Sequence, residues 1–211
     1  MSGHMGLRER KKLRTVETIS ETAISLFLAK GFDEVSVVEV ARAAEVSKPT
    51  LFRYFPTKED LVLHRFADHQ DEAGRVVAER PEGMSALAAL RAHVLAGLAA
   101  RDPVTGLCDD AEVLAFHRLL YGTPSLVARL HAYTDRAEEA LAGALGGPDE
   151  MDARLAAGQI VAVQRILARE NWRRIAAGES ATSLYPVAVA AADRAFDQLS
   201  DGLRRYVETP P

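Results

Sequence analysis

Cysteine is all but missing from this chain of 211 residues, where Cys108 is the only thiol. One cysteine excludes an internal disulfide framework and a cysteine-built zinc site. A packed or exposed thiol is the plain reading of Cys108, and a reactive sensor thiol is the other. No uninterrupted apolar run reaches the length of a membrane span, and no secretory signal is present. A soluble, cytoplasmic protein without membrane contact is expected. No segment alternates apolar and polar residues convincingly enough for a β-strand. Internal repeats and low-complexity linkers are missing, as are a glycine-rich phosphate loop and a nucleophile elbow. His64 and Asp68, four apart with His69 beside them, could supply two metal ligands. A hydrolytic metal needs at least a third ligand and an open position, and nothing else offers one at a telling spacing. No catalytic residue, metal or cofactor is therefore expected. A basic excess is lacking too, since 26 Lys and Arg against 30 Asp and Glu give a formal net charge of -4. That balance argues against sequence-independent coating of nucleic acid.

What the chain does have is helical periodicity. Leu13, Val16, Ile19, Ala23, Leu26 and Phe27 recur at helical spacing and stop at Lys30-Gly31. Gly31 suits that stop because it tolerates a left-handed backbone. Beyond Leu61 the sequence is rich in Ala, Leu, Val and Arg, interrupted at readable points. These breaks predict helices over 57–79, 85–100, 109–121, 125–145, 149–177 and 183–207. The helix from 57 is expected to run unbroken up to its stop near Pro81, a rigid link into the rest of the chain. The expected fold class is all-α. Met1 to Met5 read as the remnant of an expression tag and are set aside. Residues 6–56 are expected to form a small domain and 57–211 a larger one.

Three helix starts crowd into the stretch from Val35 to Leu61. Ser36, Ser47 and Thr57 are hydroxyl residues able to accept from the unpaired amides of a first helical turn. Ser36 has Glu39 three positions on, a capping box, with Val35 and Val40 as its hydrophobic staple. Ser47 sits between Val46 and Leu51 at the same staple spacing. Thr57 precedes Glu59 and Asp60, acidic residues that suit the positive end of a helix dipole. Pro49 falls in a first turn, where its missing N–H costs little. On the middle helix Leu51 and Phe55, four apart, face inward with Val46. Pro49 and Arg53 lie opposite, flanked by Thr50 and Phe52. An outward arginine and threonine can reach base edges or phosphates of a DNA duplex. A short helix held by two neighbours and presenting such residues has the geometry of a recognition helix. Arg8, Arg10, Lys11, Lys12 and Arg14, opposed only by Glu9, add a basic start to the first helix. Such an arm can neutralise phosphates or enter a minor groove. A solvated helix end is the alternative for any one of these residues.

The same stretch resembles the helix-turn-helix signature of the TetR family of transcriptional repressors. The resemblance is carried by Phe32 after the closing glycine, by Ser36, and by the Val46-Ser47 turn. It continues through Thr50-Leu51-Phe52-Arg53-Tyr54-Phe55 and Thr57-Lys58-Glu59-Asp60-Leu61. It implies that Lys48, Pro49, Thr50, Phe52, Arg53 and Tyr54 contact a double-stranded operator, with Ser36 and Lys58 on phosphates. Arg10, Lys11, Lys12, Arg14, Val37 and Ser47 complete the expected DNA-binding set. Three residues depart from the family pattern. Phe52 stands for the usual tyrosine and loses a hydroxyl that would reach a phosphate. Glu45 replaces the common turn glycine and adds a negative charge, and Pro49 stands where many members have glycine.

The larger domain is expected to dimerise and to sense a small molecule. Leu155, Ile160, Val163, Ile166 and Leu167 give the fifth of the predicted later helices apolar surface. Val187, Val189, Phe196, Leu199 and Leu203 do so on the last, where Ala190, Ala191 and Ala192 permit close approach. A two-fold contact through these helices would space two recognition helices for a palindromic operator. The resemblance implies the same homodimer; an ordinary monomeric core is the alternative. A cavity for a hydrophobic effector could be lined by Phe66, His69, Phe116, His117, Leu120, Tyr121, Gln164 and Trp172, with His93, His131 and Asn171 further candidates. Core filling is the other reading of each. The reading that follows is a ligand-released repressor, with an enzyme and an architectural DNA-binding protein as the competing classes.

Overall fold

A seven-residue helix does not hold in water by itself. The N-terminal third of this chain has two such helices, so neighbours must supply their stability. The computed structural model describes residues 7–67, 69–147 and 149–202, with side chains from Arg10 onward except those of Phe66 and Ala67. Met1 to Met5 and Leu203 thus lie outside the described residues, as does the side chain of Phe66. Among the described residues all regular structure is helical, ten α-helices and one 3₁₀ turn, as the absence of alternating patterns led us to expect. None of these helices is long and apolar enough to cross a membrane. The chain packs as two units. One holds the described residues up to Ala67 together with Ala115–Leu130, and the other holds the remainder.

In the first unit, α1 (Leu7–Lys30) packs on α2 (Val37–Ala43) and on α4 (Asp60–Ala67), and α2 packs on α3 (Lys48–Tyr54). Ile19, Ala23, Ile24 and Phe27 of α1 are buried, as are Val40 of α2, Leu51 of α3, Phe55 just after it, and Leu61 to Leu63 of α4. Burying Leu51 and Phe55 contributes about 1.5–3 kcal/mol each, enough to hold a helix too short to nucleate alone. Ser20, buried on α1, donates to the Leu61 carbonyl at 2.8 Å and ties α1 to α4. Gly31 ends α1 at φ +95, a left-handed residue where glycine has no steric penalty.

Thr57 and Asp60 cap α4 reciprocally. The Thr57 N–H donates to Asp60 Oδ2 at 3.1 Å, and the Asp60 N–H donates to Thr57 Oγ1 at 3.2 Å. The same carboxylate takes two hydrogen bonds from Arg129, Nε to Oδ1 at 2.9 Å and Nη2 to Oδ2 at 3.2 Å. Arg129 belongs to α8 (Pro124–Leu145), which follows α7 (Ala111–Gly122). Burial pushes the Asp60 carboxyl up, but Arg129 and Thr57 outweigh it and hold it below the usual range. Asp60 therefore joins the end of the three-helix unit to the start of α8.

The unbroken helix expected over 57–79 is replaced by two. α4 stops at Ala67, His69 to Asp71 form a turn, and α5 (Glu72–Ala78) starts afresh. Asp68, which falls in the gap, lies outside the described residues. Asp and His are weak helix formers, and the stretch from Asp68 to Asp71 carries three of them. The His69 ring adds a local alternative to helix continuation by pairing with Glu72, Nδ1 to Oε2 at 2.9 Å. The rigid link inferred from sequence is thus a jointed one.

The second unit contains α5, α6 (Ala86–Ala100), the 3₁₀ turn Pro103–Thr105, the rest of α7 and α8, α9 (Glu150–Ala176) and α10 (Ala181–Gly202). Predicted boundaries for α6, α8 and α9 agree with the structure to within a residue. α10 starts two residues earlier than expected because Ser180, not Ser183, caps it, accepting the Ser183 N–H at 3.1 Å. Leu90, Leu141, Ala156, Ile160 and Phe196 centre one core, while Leu98, Leu107, Ile175 and Leu184 centre a second. Gly106 marks a close approach: a Cβ there would lie 2.0 Å from the Ala168 carbonyl oxygen of α9. Asn171 secures the same loop, its Nδ2 donating to the Thr105 carbonyl at 3.0 Å.

Glu72 links α5 to α6, since its Oε1 lies 3.3 Å from His93 Nε2 while its Oε2 meets His69. Those two imidazoles hold the Glu72 carboxyl far below its ordinary value of 4.5. The Glu72 hydrogen bond raises His93 above its ordinary value of 6.5, against the opposing effect of burial. The carboxylate contribution is present above the ordinary Glu range and is lost on acidification. The His93 contribution is full below 6.5 and is lost as pH rises through its raised value. The bridge is therefore expected to stabilise most between about pH 5 and 6, and Glu72→Gln should lower Tm most in that window. Calorimetry across pH checks this; an equal effect of the substitution at every pH contradicts it.

Candidate functional site

The α2–turn–α3 segment is built by its caps. Ser36 Oγ accepts the Glu39 N–H at 3.1 Å and Ser47 Oγ accepts the Thr50 N–H at 3.2 Å, as the hydroxyl spacing suggested. Pro49 sits in the first turn of α3. Between the helices the Val46 N–H donates to the Ala41 carbonyl at 2.9 Å and the Glu45 N–H to the Arg42 carbonyl at 3.2 Å. This is a Schellman closure, which places Glu45 in the left-handed region at φ 54. A residue with a Cβ costs energy there, which explains why glycine is the easier choice.

With Leu51 and Phe55 turned into the core, the rest of α3 faces out. Lys48, Pro49, Phe52 and Arg53 are exposed, and Thr50 and Tyr54 are half-buried. The cations lie along their aromatic neighbours. Lys48 Nζ is 5.8 Å from the Phe52 ring centre, and the Arg53 guanidinium is 5.0 Å from that of Tyr54. Such contacts are worth about 0.5–1 kcal/mol on a surface. Thr50 Oγ1 meets Ser47 Oγ at 2.8 Å, so its hydroxyl also serves the cap. Ser36 and Ser47 are exposed at the two helix starts and Val37 is half-buried. Arg10, Lys11, Lys12 and Arg14 are exposed on α1, and Arg10, Lys11 and Arg14 line one cleft with Glu45 and Val46. Three cations from the start of α1 thus lie beside the turn, despite the acidic total.

Lys58 sits differently from its neighbours in the set. Its ammonium donates to the Phe32 carbonyl and lies 4.4 Å from the Phe32 ring centre and 5.5 Å from that of Phe27. The half-buried Lys58 closes the aromatic pair, whose rings are 4.9 Å apart.

The second unit contains a partly open cavity of about 160 Å³. His69 and Gln164 of the expected effector set line it, as do His93 and Asn171. Phe116, His117, Leu120 and Tyr121 do not. They belong to the segment of α7 that packs with the first unit, where Phe116, His117 and Leu120 are buried. His117 lies between Phe116 and Tyr121 with ring centres 6.1 and 6.0 Å away and the rings tilted, and burial pushes its imidazole pKa down. Trp172 is half-buried on α9 and His131 is exposed on α8; neither lines the cavity. Glu72, Asp102, Val104 and Thr105 do line it and were missed from sequence. The only clue in the sequence was the i,i+3 spacing of His69 and Glu72.

The apolar surface expected at a dimer contact divides in two. Ile160, Phe196 and Leu199 are buried in the subunit's own core. Leu155 and Ile166 on α9 are 56% and 59% exposed, and Val187 on α10 is 44% exposed. Met151, 59% exposed, extends the α9 stripe, and the small Gly158 and Ala162 fall between. No group of three or more His, Cys, Asp or Glu able to hold a metal occurs among the described residues.

The family model "Bacterial regulatory proteins, tetR family" matches residues 19–64, the span from mid-α1 into α4. The HTH-type transcriptional regulator TcmR of Streptomyces glaucescens is 30% identical over 206 residues, covering 94% of this chain and 87% of TcmR. Among solved structures, NalD of Pseudomonas aeruginosa, the secondary repressor of the MexAB-OprM multidrug efflux pump, superposes with a TM-score of 0.55 at 17% identity. That match covers 88% of this chain and 97% of NalD. FadR of Bacillus subtilis, solved in complex with stearoyl-CoA, gives a TM-score of 0.50 at 16% identity, covering 83% of this chain and 96% of FadR. The two structures share the fold, and TcmR adds relationship along nearly the whole length. The chain belongs to the TetR family of DNA-binding transcriptional regulators.

Proposed function

We propose that this regulator is a ligand-released repressor that binds a palindromic operator as a homodimer. The observation that carries the reading is the outward face of α3, with Lys48, Pro49, Phe52 and Arg53 exposed while Leu51 anchors the helix from behind. In this reading α3 enters the major groove, with Arg53 and Thr50 reaching base edges. The exposed Arg10, Lys11, Lys12 and Arg14 neutralise phosphates beside it. Ser36 and Ser47 sit where helix starts can approach the backbone. Lys58 reaches a phosphate only by leaving the Phe27 and Phe32 rings, so its larger role is to hold the aromatic pair. NalD is named a repressor, which supports repression as the mode of action.

The dimer is formed by the exposed stripe of α9 and the adjacent part of α10, and two-fold symmetry sets the spacing of the half-sites. Effector control runs from the cavity of the second unit. FadR holds a fatty acyl thioester, so the fold accommodates a bound small molecule. Three chain segments run from the second unit into the first: the α4–α5 turn, α7 and α8. A ligand that favours a different arrangement of His69 and Glu72 acts on the turn directly. DNA must then weaken ligand binding by the same factor as ligand weakens DNA binding.

Three outcomes are expected. In mobility-shift assays on a duplex selected from a random pool, Arg53→Ala should weaken binding by about 1–3 kcal/mol, roughly 5- to 150-fold. Binding unchanged by that substitution removes α3 from the reading role, and equal affinity for random duplex would favour an architectural protein. Glu45→Gly should raise Tm by about 2 °C by relieving the left-handed backbone, and should not weaken operator binding. A lower Tm in calorimetry contradicts that account of the turn. Leu155→Asp with Ile166→Asp should convert a dimer to a monomer in light scattering; an unchanged mass would place the contact elsewhere.

A further inference from the structure

The cleft beside the α2–α3 turn has α1 on one side and the turn itself on the other. Arg10, Lys11 and Arg14 bring three positive charges to it, and Glu45 brings the only carboxylate among its lining residues. Thr15 and Thr18 also line it, but their hydroxyls donate back to the Lys11 and Arg14 carbonyls at 2.8 and 2.9 Å. Recognition of an anion in this cleft therefore falls to the three cations. All four charged residues are exposed, and none of them forms an ion pair among the described residues. Their charges are left to act on whatever enters.

Two observations set Glu45 apart from an ordinary solvated turn residue. Its backbone is left-handed at φ 54, so a side chain is kept here at a local cost, as strained positions at functional surfaces are. It also stands two residues before Ser47, the N-cap of α3, where the basic start of α1 meets the reading helix.

We propose that Glu45 is the residue that limits affinity for the DNA backbone. The cleft receives the sugar–phosphate strand flanking α3; the three cations attract it and the Glu45 carboxylate repels it. This role rests on α3 being the reading helix, which brings the adjoining cleft to the duplex. Phosphates carry no sequence information, so the repulsion applies to every duplex alike. It holds down the backbone contribution that the cations supply to any DNA and leaves the base contacts of Arg53 and Thr50 untouched.

The test is fluorescence anisotropy of the full chain on the selected duplex and on a random one. Glu45→Gln removes the charge and keeps the Cβ, which separates electrostatics from the backbone relief that Glu45→Gly brings. It is expected to tighten both duplexes by about three- to fivefold near about 50 mM salt and by less than about twofold near about 200 mM. The slope of log affinity against log salt should steepen by up to about 0.9, the amount carried by one phosphate contact. Glu45→Asn, better suited to a left-handed backbone, is read in the same way should Glu45→Gln fold poorly. Glu82→Gln removes an exposed carboxylate outside the cleft and should change neither affinity by more than about twofold. Tightening of the selected duplex alone would assign Glu45 to a base and overturn the proposal. Unchanged or weaker binding, or an equal gain from Glu82→Gln, overturns it as well. Arg53→Ala is run alongside: an effect of Arg53→Ala without one of Glu45→Gln removes only the role given to Glu45, while no effect of either removes α3 from the duplex too.

Discussion

Leu51 and its partner Phe55, buried four residues apart, are the constraint on which the rest of this molecule depends. A seven-residue helix has no stability to spare, so its inward pair decides whether it exists and which way it faces. Once that pair is inside, Lys48, Pro49, Phe52 and Arg53 have nowhere to go but out. The Schellman turn fixes the angle at which α3 leaves α2, and it does so with Glu45 in a backbone region that opposes it. The turn therefore carries a local cost that the buried neighbours Val40, Ala41 and Leu51 outweigh. Stability and presentation of the outward face are one property here.

The second unit answers a different requirement. In the proposed reading it must be firm enough to hold a cavity yet responsive to what enters. Gly106 lies so close to α9 that no side chain fits, and Asn171 bonds the Thr105 carbonyl beside it, so this wall is tightly defined. The opposite polar edge rests on Glu72 and two imidazoles, interactions that depend on protonation and on competition from a ligand. In the first unit Asp60 joins the cap of α4 to Arg129 of α8 by a charged, two-bond contact. That contact lies at the start of α4, which follows α3 in the chain.

Local chemistry was legible in the sequence, and tertiary choice was not. Ser36 and Ser47 cap the helices they were expected to cap, because an N-cap needs only a hydroxyl and an amide three residues on. The inward turn of Leu51 and Phe55 followed from spacing alone. The break after Ala67 escaped notice because Asp68 to Asp71 contains no glycine or proline, and weak helix formers are often carried along by packing. Lys58 was expected at phosphate on the strength of a motif, but the Phe27 and Phe32 rings that receive its ammonium come from a distant stretch of sequence. The cavity shows the same limit. Phe116, His117, Leu120 and Tyr121 looked like pocket residues by type, yet they pack with the first unit. Glu72 and Asp102 carried no signal of their own in the sequence, and folding alone sets them on a common wall.

In the proposed complex α3 is the element that meets the DNA, once per subunit. Site-directed cleavage tests it most directly: Pro49→Cys in a Cys108→Ser background, carrying a tethered iron chelate, bound to its selected duplex. Two clusters of strand cleavage are expected, about one helical turn, or a multiple of it, apart. Uncleaved DNA in a complex that still forms would contradict it.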